Sequence, residues 1–420
     1  MTNNVTNFNI RMQNIATVYV ETPDCDTQTD LDELQGLVST ANAKTVITFL
    51  QKRNLVDPLT VVGQGKLDEI KNAISMFEGT DDEIDVVLFG SPLNSTQRTA
   101  LEKKLDKPVI DRIDLILDIF ALRATTAEGK TQVELAQLTY SLATHPTDTK
   151  LSRQGAGIGT RGPGETKLET NKRAIRQRMY KLRECLKEIA ARRSLTRKNR
   201  LENKAFTVAL VGYTNAGKST LFNALTNQNV YADDKLFATL DTTVRSAKID
   251  GLNLLYIDTV GFINNLPHQL VDAFKSTLEE ISYADLVLHV LDVSDENLDM
   301  HIAITEQILT ELHVTAPLLR VYNKCDKPHP YFANDTEDAV FISALNDKGI
   351  DSLLSIIRRQ MTSAYAKLTL QIPFEKSGEV IARLGAVNAV YEPLECNDCI
   401  MLSVIIKRQY VDKFMEYAVI

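Results

Sequence analysis

The sequence predicts an α/β protein with a central doubly wound domain carrying a phosphate-binding loop. An N-terminal α/β domain with a long helical hairpin precedes it, and a small α+β domain follows. Three observations predict this. From Ala205 onward, runs of strand length (FTVALVG, LLYIDT, DLVLHVLDV, PLLRVYNK and AVFISA) alternate with helical stretches, the grammar of a sheet wound on both faces. The segment GYTNAGKST, residues 212–220, follows the first of these runs and opens a helix, fitting the spacing glycine, four residues, Gly-Lys-Ser. At 420 residues the chain also exceeds one ordinary core and calls for two or three domains of roughly 100–200 residues.

The elements follow in order. IATVYV (15–20) and VVLFG (86–90) read as buried strands, with a polar helix around 31–41. Helical patterns cover 95–105, 113–123 and 128–144, the last with Leu135, Leu138 and Leu142 at spacings of three and four. RQGAGIGTRGPGETKLET (153–170) is too rich in glycine for helix or strand. The basic helix behind it carries Ile175, Met179, Leu182, Leu186 and Ile189 as a coiled-coil-like seam. Two helices flanking a long loop predict a hairpin with the glycine-rich loop at its tip. After about Thr362 come LTLQIPF, a helix near 377–384, AVYEPL and CIMLSVII, a small α+β module. The expected domains are 1–150, the loop and basic linker helix 151–204, the phosphate-loop domain 205–362, and 363–420.

Composition narrows the function classes. A chain with 44% hydrophobic and 24% charged residues is that of a soluble globular protein. No apolar run reaches the ~20 residues of a bilayer span, and MTNNVTNFNIRMQ lacks the layout of a secretory signal. Five scattered cysteines fit a reducing cytosol better than a disulfide framework, so a cytoplasmic protein is expected. Cys396 and Cys399 form a CxxC, but no second ligand pair completes a zinc site. The formal net charge of −8 argues against indiscriminate nucleic-acid binding. Between Lys172 and Lys204, however, basic residues face only Glu184, Glu188 and Glu202, leaving roughly ten excess positive charges in one segment.

The phosphate loop fixes the chemistry to expect. Gly212 and Gly217 let the backbone turn its N–H groups toward phosphates, and the following helix adds a favourable dipole. Lys218 would neutralise the β- and γ-phosphates, and the Ser219 hydroxyl would bind Mg2+. DTVG (258–261) ends the strand LLYIDT, where Asp258 reaches the metal through water and the Gly261 N–H meets the γ-phosphate. NKCD (323–326) ends another strand; the Asp326 carboxylate, read as buried, accepts both guanine donors, N1–H and the 2-amino group, which adenine does not offer. Asn323 and Lys324 hold the base and its loop, Cys325 is incidental, and SAL (Ser343, Ala344, Leu345) supplies a backbone N–H to guanine O6. Each of the last three motifs is weak alone; their order along the chain points to GTP and GDP. The candidate contacts are Gly212, Tyr213, Thr214, Asn215, Ala216, Gly217, Lys218, Ser219, Thr220, Asp258, Thr259, Val260, Gly261, Asn323, Lys324, Cys325, Asp326 and the SAL residues.

FATLDTT (237–243) lies between the phosphate loop and DTVG, and Thr239, Thr242 or Thr243 can each supply a metal-binding hydroxyl. Phe262 stands immediately after DTVG, where a hydrogen-bonding side chain would orient water, and a phenyl ring cannot do so. Hydrolysis then relies on other groups, a partner or a bound cation. Asn215 is the candidate ligand for a monovalent ion such as K+, and equally a turn-forming residue. The catalytic candidates are Lys218, Thr239, Gly261 and Asn215.

With these motifs and GIGTRGPGETKLET (157–170), DPLTVVGQGKLDEI (57–70), VIDRIDLILDIFALRATTAEGKTQVELAQL (109–138) and the IPF…GEVIARL tail (372–384), the chain resembles the HflX family of translation-factor-class GTPases over nearly its whole length. The resemblance implies a GTPase that binds ribosomes, chiefly the large subunit and its RNA, and separates stalled or idle ribosomes under stress. It maps Mg2+ onto Ser219 and Thr239, and sets Phe237, Ala238, Thr239, Leu240 and Asp241 against the nucleotide. Two positions depart from the family pattern: Asp241-Thr242 where Asp-Pro is usual, and Asn171 where aspartate is common. Arg153, Arg161 and Lys167 in the glycine-rich loop suit RNA phosphates, without aromatics for base stacking. The chain is expected to act as a monomer. Two other readings stay open at this stage: a GTPase switch in RNA modification or ribosome assembly, and an RNA-binding module gated by nucleotide with negligible turnover.

Overall fold

A computed structural model of the chain describes residues 12–23, 27–144, 167–202, 206–226, 236–237, 243–249, 252–263, 278–328, 335–336, 338–387, 389–394 and 399–419. Its contacts gather into two compact units: Met1–Lys187 with Asp233–Asp241 and Asn265–Lys275, and Glu188–Ala232 with Thr242–Asn264 and Ser276–Ile420.

The first unit is built on a parallel sheet of β1 (Gln13–Glu21), β2 (Ala43–Lys52), β3 (Val86–Phe89) and β4 (Val109–Asp111), in the order β2-β1-β3-β4. Its helices are α1 (Thr27–Thr40), α2 (Gln64–Phe77), α3 (Ser95–Leu105), α4 (Arg112–Arg123) and α5 (Ala127–Thr144). β1 is buried along most of its length because it pairs on both edges. Ala16, Val18, Val87 and Phe89 meet Leu67, Ile70 and Leu101 of α2 and α3 in one core. Sequence reading found β1, β3 and most helices but passed over β2, α2 and β4. β2 is an edge strand with mixed exposure, and β4 has only three residues, so neither shows a clean period.

The basic segment is a single helix, α6 (Lys167–Glu202). It starts inside the stretch read as loop, because glycine ends at Gly164 and KLET consists of helix-tolerant residues. Residues 145–166, which hold most of the glycine-rich loop, lie outside the described residues. Met179 and Leu182 of the expected seam are buried, Ile175, Leu186 and Ile189 half-buried. Arg178 grips Glu134 of α5 with two hydrogen bonds of 2.7 Å.

In the second unit a six-stranded sheet has the order β10-β9-β8-β5-β7-β6. The strands are β5 (Phe206–Val211), β6 (Thr243–Ile249), β7 (Leu252–Asp258), β8 (Leu286–Asp292), β9 (Leu318–Asn323) and β10 (Ala339–Phe341). All pairs are parallel except β6 with β7; β6 was not read from the sequence. The helices are α7 (Lys218–Thr226), α8 (Leu298–Glu311) and α9 (Ile350–Ala364). The core runs from Val208 and Leu210 through Leu288 and Val321 to Leu353 and Ile357.

The C-terminal part carries β11 (Tyr365–Ile372), α10 (Ser377–Ala386), β12 (Val390–Leu394), β13 (Ile400–Lys407) and β14 (Ala418–Val419), an antiparallel sheet ordered β12-β13-β11-β14. Val380 and Leu384 of α10 close its core over Leu370 and Val404. Cys399 is buried, and Cys396 lies outside the described residues. Among the described residues no helix is long and apolar enough to cross a membrane.

Candidate functional site

The parallel strands β5, β7, β8 and β9 end at Val211, Asp258, Asp292 and Asn323, so the topology alone gathers the phosphate loop, DTVG and NKCD at one sheet edge, with Asp292 among them. The loop after β5 bends back through Asn215 at φ 61° and Gly217 at φ 90°. A Cβ on Gly217 would stand 2.2 Å from Asn323 Nδ2, so both the backbone angle and the space demand glycine there. α7 then begins at Lys218 with no acidic residue in its first turn, leaving its N-terminal amides suited to an anion.

Lys218 is buried among loop atoms, donating to Gly212 O at 3.0 Å and Tyr213 O at 2.7 Å. An ammonium has three protons, so two carbonyls aim the group while one donor remains for phosphate. Burial pulls its pKa down to about 8, against the raising pull of Asp258 and with further lowering by Lys324. A phosphate nearby reverses that burden by supplying negative charge. Ser219 Oγ donates to Asp258 Oδ2 at 2.9 Å, bringing together two oxygen donors from the phosphate loop and the DTVG strand.

Asn323 ties three motifs together. Its Nδ2 donates to Ala216 O at 2.9 Å, and its Oδ1 accepts from the Ala344 N–H at 3.0 Å, all buried. Lys324 Nζ donates to Asn215 O at 2.7 Å and lies 2.7 Å from Asp292 Oδ2. Ser343 Oγ donates to Asp326 Oδ1 at 2.5 Å and holds that carboxyl below its usual range. Asp326 is exposed, which corrects the reading of a buried carboxylate: it sits on a turn beyond the end of β9, at the rim. Only a bound base would desolvate it.

The DTVG segment lies along the phosphate loop. Thr214 N donates to Phe262 O at 2.8 Å and Phe262 N to Gly212 O at 3.1 Å, with the Phe262 ring buried. A Cβ on Gly261 would fall 2.8 Å from Thr214 Cγ2, 2.9 Å from Thr214 Cα and 3.0 Å from Lys218 Nζ; no larger residue fits without parting the two segments. The Thr259 hydroxyl is committed to Leu210 O at 2.7 Å, a structural task. Val260 is buried, Thr220 half-buried, and Leu345 exposed. Cys325 bonds within its own turn, Sγ to Tyr322 O at 3.3 Å, and burial pushes its thiol pKa up.

Of the FATLD residues, Ala238, Thr239, Leu240 and Asp241 lie outside the described residues. Phe237 belongs to the first unit, where its buried ring meets Phe120 edge-on at 4.7 Å. Beside it, Leu236 N donates to Thr40 Oγ1 at 3.2 Å. No local pattern in the sequence marks this anchorage, nor Asp292, Asp295 and His301. Those three, from the end of β8, the turn after it and α8, line a cavity beside the phosphate loop and fall in no nucleotide motif.

Comparison with known proteins gives matches along most of the chain. A family model described as "GTP-binding GTPase N-terminal" matches residues 28–121, one described as "GTP-binding GTPase Middle Region" matches 123–200, and one described as "50S ribosome-binding GTPase" matches 207–324. The GTPase HflX of Caldanaerobacter subterraneus subsp. tengcongensis is 45% identical over 83% of this chain and 81% of its own. That of Escherichia coli K12 is 41% identical over 86% and 85%. Among solved structures, a GTP-binding protein from Sulfolobus solfataricus in complex with GDP is 27% identical, aligned over 84% of this chain and 99% of its own with a TM-score of 0.45.

Proposed function

The chain belongs to the HflX family of GTPases and is a GTP hydrolase, and from that premise we propose that it binds the large ribosomal subunit and uses GTP to separate stalled or idle ribosomes under stress. The observation that carries this is the match of residues 207–324 to the family described as ribosome-binding. The basic helix supports it: Arg173, Arg176, Lys181, Arg183 and Arg192 are exposed, cations suited to RNA phosphates, while Arg178 pairs with Glu134 and Lys187 with Glu184.

In this reading the amides of residues 212–219 hold the phosphates, Lys218 and the Gly261 N–H meet the γ-phosphate, and Asp326 selects guanine. Ser219 and Asp258 are oxygen donors 2.9 Å apart, a set that suits Mg2+ completed by water and phosphate oxygens; Thr239 would add a further hydroxyl. When bound, the metal neutralises charge on the β- and γ-oxygens. Phe262 leaves water to be oriented by other groups. Asn215, exposed within the loop, is the proposed amide ligand for K+, so turnover should be higher in potassium than in sodium, a difference lost in Asn215→Ala.

The test is GTP turnover and subunit separation with purified ribosomes, followed by phosphate release and gradient sedimentation. Ribosomes should stimulate hydrolysis, and Arg173→Glu, Arg176→Glu and Arg183→Glu together should weaken ribosome binding and flatten its salt dependence. Replacing residues 155–164 by a Gly-Ser linker should leave nucleotide affinity intact and abolish separation. A linker variant that separates ribosomes at the normal rate defeats the role given to the loop; hydrolysis indifferent to ribosomes defeats the ribosomal reading.

A further inference from the structure

We propose that His301, in the first turn of α8 and outside every nucleotide motif, is a positioning residue for GTP hydrolysis that holds the leading half of the phosphate loop through Tyr213. The two rings are stacked, with centroids 3.6 Å apart and planes 14° from parallel, and both residues are buried. His301 is itself fixed: Nδ1 lies 3.2 Å from Asp295 Oδ2, and Asp295 Oδ1 accepts the Asn297 N–H at 2.9 Å. A cavity of about 60 Å³, lined in part by Thr214, Asp292 and Leu298, adjoins the stack. Without the imidazole the Tyr213 ring therefore has room to swing.

What Tyr213 carries makes this matter to chemistry. Its carbonyl and that of Gly212 aim the Lys218 ammonium. Its neighbours Gly212 and Thr214 make the two backbone hydrogen bonds to Phe262 that seat Gly261 against Lys218. Those groups are the ones that meet a γ-phosphate. The later half of the loop is held independently, Asn215 and Ala216 by Lys324 and Asn323, and that half serves the phosphates GDP shares with GTP. A loosened Tyr213 should therefore impair turnover of GTP while sparing GDP binding, since small misplacements of reacting groups are expensive in rate. Aromatic stacking, rather than the hydrogen bond to Asp295, is the feature that restrains Tyr213.

The experiment compares His301→Ala, His301→Phe and His301→Gln in the full chain without ribosomes. It measures kcat and KM for GTP and the Kd for a fluorescent GDP. The inference rests on GTP hydrolysis by this site and on nothing ribosomal, so the two readings fail separately. In His301→Ala, kcat should fall about tenfold with GDP affinity within about twofold. His301→Phe, which restores a ring, should recover most of the rate; His301→Gln, which keeps a polar group for Asp295 but no ring, should not. Unchanged kcat in His301→Ala overturns the proposal, as does an equal loss in the Phe and Gln variants, or a parallel loss of GDP affinity. If the alanine variant does not fold, the Phe and Gln pair still decides.

Discussion

The four-stranded sheet of the first unit and the six-stranded sheet of the second end in opposite ways. In the first unit β4 runs straight into α4, and the junction is filled by the protein's own carboxylate. Asp111 Oδ1 caps the Ile113 and Asp114 amides at 2.9 and 3.1 Å, while Oδ2 accepts Leu93 N at 2.9 Å, Arg98 Nη2 at 3.1 Å and the Tyr140 hydroxyl. In the second unit β5 reaches α7 through the six residues Gly212–Gly217, and no acid stands in the helix's first turn. Strand ends and helix N-termini of this kind attract anions in either case. What separates a structural joint from a nucleotide site is whether the chain supplies the anion itself.

Breaking the filled junction should have the largest effect. Asp111→Ala removes the cap and strips Arg98, which is 2% exposed, of one of its two carboxylates; Asp114, at 2.5 Å, is the other. Loss of a buried charge partner together with a cap should cost about 3 kcal/mol. Urea unfolding should show that loss in the first unit alone, with GDP affinity of the folded protein unchanged. A variant as stable as the parent would mean that Asp111 is no keystone, and the contrast between the two junctions would fall.

The second effect belongs to the open junction. Asn323→Ala deletes the buried link from Ala216 O to the Ala344 N–H and frees the phosphate loop from the guanine loop. Two such hydrogen bonds are together worth about 2 kcal/mol, or roughly thirtyfold. Titration with fluorescent GDP and GTP should show similar losses for both, unlike the GTP-selective loss argued for His301. A loss confined to GTP would mean that Asn323 acts on the γ-phosphate rather than on the loop's later half.

This contrast also explains what could be read from the sequence. The open junction announces itself because phosphate binding needs contiguous residues: GYTNAGKST, DTVG, NKCD and SAL are local strings that each end or follow a strand. The filled junction is silent. Arg98 lies in a helix whose sequence, STQRTALEKKL, is mostly polar, and its partners are 13 and 16 positions away, so nothing local marks it as buried. His301 fails for the same reason, since its partner Tyr213 is 88 residues distant. Phe237 was expected in a nucleotide segment, and its seat on Phe120 could not be read because that seat is supplied by another element altogether. Asp326 was legible as the end of NKCD but not in its exposure, which depends on how far its turn stands clear of β9.

The smallest effect is the most pointed, because the two units should respond to acid with opposite signs. Near the filled junction Asp118 is pushed up to about 6, by burial first and then by Asp114. Asp114 is raised as well, through burial and the charge of Asp111. The folded first unit therefore binds more protons than its unfolded chain between about pH 6 and the ordinary aspartate value of 3.8, and its stability rises as pH falls through that window. In the second unit His289 on β8 is fully buried, and burial pulls its pKa down to about 4 from 6.5. There the unfolded chain binds more protons between pH 6.5 and 4, so stability falls on acidification. From pH 7 to 5.5 each change amounts to about 1 kcal/mol. Hydrogen exchange, corrected for the intrinsic pH dependence of amide rates, should show stronger protection in peptides from α4 and weaker protection in peptides from β8. His289→Gln should remove most of the β8 response and Asp118→Asn should reduce the α4 response. If both units weaken together as pH falls, the buried aspartates near Asp111 are not held protonated, and the first unit's junction is less closed to water than the second's core.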